Sequence, residues 1–175
     1  MYKRQTADHV ALISGHPTGE NVLVRMHSEC ITGEAFGSLK CECGPQLDFA
    51  LDQIANDPNG GIVIYLRGQE GRGIGLLNKL KAYALQEQGY DTVDANLALG
   101  LPSENREYGA AVAILHDLGV KSVRLMTNNP AKSDFLDKAG IKVTEYVPVI
   151  VGIAAENVNY LETKRDRMGH LIPKA

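Results

Sequence analysis

Residues 61–89 read GIVIYLRGQEGRGIGLLNKLKAYALQEQG. The first six are apolar and rich in β-branched side chains, which predicts a buried strand. The next nine, Arg67 to Gly75, hold four glycines and two arginines. Residues 76–88 then predict a helix with Leu77, Leu80, Tyr83 and Ala84 facing inward and Gly89 as its stop. Strand, glycine-rich loop, helix is an arrangement that points backbone N–H groups at phosphate. The loop matches neither the dinucleotide fingerprint nor the P-loop pattern, because no Lys-Ser/Thr pair closes it. Arg67 and Arg72 are then the candidate charges for an anion. The competing reading is a flexible loop with two solvated arginines.

The same alternation extends outward in both directions. Residues 9–13 and 21–26 predict strands, the second carrying Arg25, with turn chemistry between them at residues 15–19. Pro45 opens a helix whose apolar face is Leu47, Ala50, Leu51 and Ile54 and which ends near residues 57–60. Downstream, residues 90–96 read as polar with a short extended centre, and residues 97–104 as a loop. Arg106 and Glu107 open a helix that runs to Leu118, with Ala110, Ala111 and Ile114 near one side. Residues 121–126 predict a strand, Asn129 an N-cap and Pro130 the first helical position. Residues 141–147 predict a last strand, and the tail from residue 157 a partly amphipathic helix. Strands alternating with helices argue an α/β single domain, a mixed sheet flanked by helices on both faces. Residues 1–5 carry no pattern and are expected to be frayed or foreign to the domain, which spans 6–175.

All three cysteines, Cys30, Cys41 and Cys43, fall within fourteen positions of the stretch HSECITGEAFGSLKCEC at residues 27–43. Three thiolates suit a borderline-soft ion, with zinc the first choice. Three ligands leave a position open for water, whose pKa the metal lowers to about 7. Two other readings stand beside this one. His27 would close the set as a fourth ligand and make the site structural, or the thiols are buried apolar filler. A helix beginning just after Cys43 favours anionic sulfur.

Net charge is −3 at 44% hydrophobic content, so no global basic field recruits nucleic acid, and no aromatic-basic pattern suggests it. No run approaches the roughly 18 apolar residues of a membrane span, and the first residues lack a signal-peptide core. A cytoplasmic protein with reduced thiols is the expectation.

Together these strings resemble GTP cyclohydrolase II: RMHSECITGEAFGSLKCECGPQ at 25–46, RGQEGRGIGLLNKLKAYALQEQGYDTVDAN at 67–96, MTNNPAK at 126–132 and NYLETKRDRMGHL at 159–171. The resemblance covers nearly the whole chain. It implies the family's fold and its reaction, the first of riboflavin biosynthesis. The imidazole ring of GTP is opened at C8, that carbon leaves as formate, pyrophosphate is released, and a diaminopyrimidinone carrying ribose 5-phosphate remains. It implies Cys30, Cys41 and Cys43 as ligands of one catalytic Zn2+ per chain, Mg2+ with the triphosphate, and a homodimer. It places Arg25, His27, Ser28, Glu29, Gln46, Glu70, Gly71, Arg72, Thr92, Thr127 and Lys132 on GTP, with Glu70 apt for the guanine edge and Lys132 for phosphate.

Arg106 matches the position cast as nucleophile on the α-phosphate, and charge stabilisation is an equally good physical reading of it. Glu104 matches the acid proposed to take its proton, where the family usually has aspartate. Tyr83 matches the tyrosine associated with the full reaction. Relatives with a fused butanone phosphate synthase lead to the further expectation that none is present here. The alternatives are a variant that stops at a formamidopyrimidine nucleotide, or a nucleotide-binding protein with structural zinc.

Overall fold

The computed structural model describes residues 8–174, so the expectation for residues 1–5 lies outside the described residues. Five strands form one sheet in the order β1-β3-β2-β4-β5. They are β1 (Val10–Ser14), β2 (Val22–Ser28), β3 (Gly61–Leu66), β4 (Ser122–Met126) and β5 (Lys142–Val147). β1 runs antiparallel to β3 and the other pairings are parallel, so the sheet is mixed, as expected of this fold class. The helices are α1 (Ile31–Glu34), α2 (Cys43–Asn56), α3 (Glu70–Gly73), α4 (Leu76–Gln86), α5 (Thr92–Ala98), α6 (Gly109–Asp117), α7 (Pro130–Lys138) and α8 (Val158–Met168).

Two cores sandwich the sheet. On one face Val22, Val24 and Met26 of β2 and Ile62, Ile64 and Leu66 of β3 meet Leu115 of α6 and Leu136 of α7. On the other, Leu23 and Val63 meet Ala50 and Ile54 of α2. Burying each large aliphatic side chain stabilises by roughly 1.5–3 kcal/mol. The period of two along a strand fixes what comes next. The alternation that sends Leu23 toward α2 sends Arg25 and His27 to the same side, further along β2. They emerge at the carboxyl end of the parallel strands, where ligands of open α/β sheets bind.

Several local expectations are corrected. Residues 92–98 are the helix α5, not an extended centre running into a loop. Asp91 caps it, accepting from the amides of Val93 and Asp94 at 2.8 Å each, and this cap outweighs the polar composition. α4 turns a different face inward. Leu77 is 76% and Leu80 48% exposed, while Lys79 and Ala82 are buried and Tyr83 is half-buried. Apolar periodicity misread this helix because the face against the protein is built on a lysine. α6 starts at Gly109, which leaves Arg106 and Glu107 in the preceding loop. Beyond β5 lie the apolar residues 149–153. They make a strap held by the side-chain amide of Asn128, which donates to the Val149 carbonyl (2.7 Å) and accepts from its N–H (2.9 Å).

Candidate active-site cleft

Loops at the carboxyl ends of β2, β3 and β4 surround an open cleft. Its lining carries the thiols. The Sγ atoms of Cys30, Cys41 and Cys43 lie within 4.8 Å of one another, with Cys30 and Cys41 3.6 Å apart. All three are free cysteines. Cys30 ends the β2 loop, while Cys41 and Cys43 flank the entry to α2. Gly33, on α1, makes the convergence possible: a Cβ there would stand 3.0 Å from the Cys41 Sγ and 3.4 Å from that of Cys30. The Lys79 ammonium donates to the Cys30 sulfur (2.9 Å), to Thr32 (2.7 Å) and to Glu70 (2.6 Å). These sulfurs draw the Cys30 pKa down against burial, with Lys79 assisting. A compact set of soft donors beside a cation is a donor set that a borderline-soft ion such as zinc fits.

His27 is not in that set. Its Nε2 lies 2.7 Å from Glu34, its ring stacks on Tyr65, and its Nδ1 is buried without a partner. Burial lowers its pKa below the ordinary 6.5 despite Glu34. Glu34 is itself fixed by the Cys30 amide (3.0 Å) and by the Tyr65 hydroxyl.

The cleft is also cationic. Arg25 donates to the Met126 carbonyl (3.0 Å) and to Gln46 (2.7 Å), both neutral, and its Nε has no partner. Burial, and to a lesser degree Arg106, lowers its pKa to about 10. Lys132, in the first turn of α7, is 5% exposed and, among the described residues, donates only to the Met26 carbonyl (2.8 Å). Burial first, then Arg25, Arg106 and Lys164, push its pKa well down. A buried cation without a counter-charge is costly. Two in one cleft mark a site that an anion would complete.

Arg106 reaches the cleft with Glu104 clasped behind it, through Nε (2.7 Å), Nη2 and its own backbone N–H (3.0 Å). Burial works to lower the Arg106 pKa, but the Glu104 pairing overrides it and holds the guanidinium above its ordinary value. Both carboxylate oxygens of Glu104 are engaged by this one guanidinium.

The remaining predicted residues fall into two groups. Ser28, Glu29, Gly71, Arg72, Thr92 and Thr127 line the cleft. Ser28 donates to Gln69 (2.7 Å), and Arg72 donates to the Thr92 carbonyl (3.0 Å). Arg72 holds φ +64°, a left-handed backbone that non-glycine residues adopt at some cost and mostly at functional sites. Tyr83 also lines the cleft, its pKa pushed up to about 12 by burial against the pull of Lys79. Glu70 and Glu104 do not line it: each stands behind a cation, Lys79 or Arg106. The Glu70 carboxylate is taken by Lys79 and by the Ile31 amide (2.6 Å). Arg67 is half exposed and lies 3.9 Å from Glu29, outside the lining.

Sequence reasoning missed Lys79, Glu42, Tyr160, Lys164 and His170, all of which line the cleft. Their one readable signal was spacing: Lys79 with Tyr83, and Tyr160 with Lys164, are each four apart on a helix and share a face.

Fold and site define an α/β protein whose cleft joins a three-thiol group to a surplus of cations. The chain belongs to the GTP cyclohydrolase II family, whose sequence model matches residues 1–148. It is 58% identical over 166 residues to the GTP cyclohydrolase-2 of Streptomyces coelicolor, covering 95% of this chain and 75% of that protein. It is 59% identical over 164 residues to the riboflavin biosynthesis protein RibBA of Nocardia farcinica, covering 93% of this chain and 39% of that protein. The RibBA of Rhodococcus erythropolis is 58% identical over 168 residues, with 93% and 39% covered. The chain therefore spans about two-fifths of the length of these RibBA relatives.

Proposed function

We propose that the chain is a zinc-dependent GTP hydrolase that opens the imidazole ring at C8, releasing formate and pyrophosphate and leaving a diaminopyrimidinone with ribose 5-phosphate, in riboflavin biosynthesis. The observation that carries this reading is the composition of the cleft. One lining holds a three-thiol group and two buried cations, Arg25 and Lys132, whose hydrogen-bond partners among the described residues are all neutral. A purine nucleoside triphosphate offers a partner to each, its ring to a metal on the thiols and its phosphates to the cations. Family membership and the name of the Streptomyces relative support the same substrate.

Cys30, Cys41 and Cys43 would hold the zinc, which when bound supplies Lewis acidity and acidifies water near neutral pH. The chain's own residues do the rest. Arg25, Lys132 and Arg72 bind phosphate oxygens as fixed donors. Arg106 stabilises charge at the α-phosphate as pyrophosphate leaves. Glu104 keeps it protonated and aimed, which favours this role over that of a nucleophile. His27, whose Nε2–H donates to Glu34, offers its Nδ1 to the nucleotide. Lys79 and Glu70 hold the Cys30 sulfur in place rather than read guanine. Mg2+ accompanies the triphosphate. Two copies pair, a reading supported by the exposed Leu77 and Leu80 lying three apart on one face of α4. Among the described residues no helix is long and apolar enough to cross a membrane, and a cytoplasmic setting with reduced thiols is part of this proposal.

The test is product identification by mass spectrometry after zinc-loaded protein meets GTP and Mg2+. Formate, pyrophosphate and the diaminopyrimidinone are expected. Zinc-loaded protein that releases no formate overturns the reading, and a retained formyl group would limit it to ring opening.

A further inference from the structure

The family match ends at residue 148, but the cleft wall does not. α8 and the residues just past it bring Tyr160, Lys164 and His170 into the same space as Arg106 and Lys132. Gly169, at φ +67°, turns the chain back at the end of α8. The His170 amide then bonds the Lys164 carbonyl (3.0 Å), and the Leu171 amide bonds the Asn128 carbonyl (2.7 Å). The tail is thereby tied to the loop after β4, from which α7 and Lys132 begin.

Lys164 is the telling residue. Its ammonium pairs with Glu42 and lies 4.5 Å from the centre of the Tyr160 ring. Glu42 is 2% exposed, sits between Cys41 and Cys43, and takes a second contact from Gln46 (3.3 Å), which in turn accepts from Arg25. Arg25, Arg106, Lys132 and Lys164 thus gather around one cleft; Arg106 pairs with Glu104 and Lys164 with Glu42, while Arg25 and Lys132 have only neutral hydrogen-bond partners among the described residues. The Nδ1 of His170, also facing this group, is buried and unpartnered. Such an arrangement needs negative charge from outside the chain.

We propose that Lys164 is a phosphate ligand: when nucleotide binds, its ammonium is shared between Glu42 and a phosphate oxygen, so that α8 forms one wall of the anion site. This rests on the nucleotide reading above. The rival role is a clamp that merely fixes α8 to the loop carrying Glu42.

Binding titrations on the full chain separate the two, with GTP and guanosine as probes. Lys164→Met is expected to weaken GTP by about tenfold or more, the scale of one charge-assisted hydrogen bond, and guanosine by less than about twofold. Lys164→Arg keeps most of the GTP affinity. Lys164→Met can also destabilise by leaving Glu42 buried and unpaired, so it is paired with Glu42→Gln in a double variant. That double variant is expected to fold yet still bind GTP weakly. Equal loss for GTP and guanosine, or recovery of GTP binding in the double variant, makes Lys164 a clamp and overturns the inference alone. Failure of the unmodified protein to bind GTP overturns the nucleotide reading, and this inference with it.

Discussion

The thiol group and the cation group of the cleft are built by opposite strategies. The thiol group comes from one short stretch, Cys30 to Cys43, folded over a single turn of helix and packed on Gly33. The cation group comes from residues 25, 106, 132 and 164, on a strand, a loop and two helices. The first is contiguous in sequence, with Lys79 of α4 and Tyr65 of β3 bracing it from outside. The second exists only when the sheet, α7 and α8 are all in place. A mutation should therefore act on the thiol group through a neighbour's shape, and on the cation group through charge and long-range assembly.

The hardest test of the cation group is Arg106. If it stabilises charge as a planar, fully protonated group, Arg106→Ala should lower kcat for pyrophosphate release by roughly 10²–10³-fold, the usual result of removing a transition-state donor. Arg106→Lys should restore little, because a lysine cannot take both oxygens of Glu104. Steady-state kinetics that show the lysine variant near full activity would reduce Arg106 to a point charge. The guanidinium fork would then have no part in the contrast.

The thiol group is tested by shape. Gly33→Ala adds one methyl group 3.0 Å from the Cys41 Sγ. The backbone accepts alanine there, so the strain falls on the sulfurs. Zinc affinity should drop by roughly 10–100-fold, the loss typical when residues supporting a metal ligand are disturbed. Competition with a chromophoric chelator measures it. An unchanged affinity would mean that the thiols have slack that their spacing in the protein does not suggest.

How much of this was legible follows the same division. Cys30, Cys41 and Cys43 could be grouped from spacing alone, and so could the strand 61–66 with its glycine loop, because both signals are local. Arg25 and Lys132 were reached only through resemblance. Nothing in residues 126–132 or 21–26 says that a fold will bring those two side chains into one cleft. Lys79 and Lys164 were missed for a physical reason. A lysine on a helix is read as solvated, and only burial against Glu70 or Glu42 reveals otherwise. Leu77 and Leu80 misled for the mirror-image reason, as apolar residues that face outward.

The smallest effect concerns how α8 is held against the rest. Asp91 caps α5, and Arg167 of α8 reaches over to pair with it and, at 3.0 Å, with Asp94. Asp91→Ala should cost about 1 kcal/mol in urea unfolding near neutral pH, the usual worth of an N-cap. The exposed ion pair adds little to that. Burial pushes the Asp91 carboxyl up. The Asp94 amide, Arg167 and the Val93 amide outweigh it and hold the pKa below its ordinary 3.8. A carboxylate depressed on folding stabilises above its unfolded pKa and loses that contribution as pH falls through the folded one. The gap between parent and variant should therefore be full at neutral pH and narrow as pH drops below 3.8. A gap that stays constant into acid would show that Asp91 acts through packing. The tie between α5 and α8 would then not be electrostatic, and the cation group would depend on fewer charges than its layout suggests.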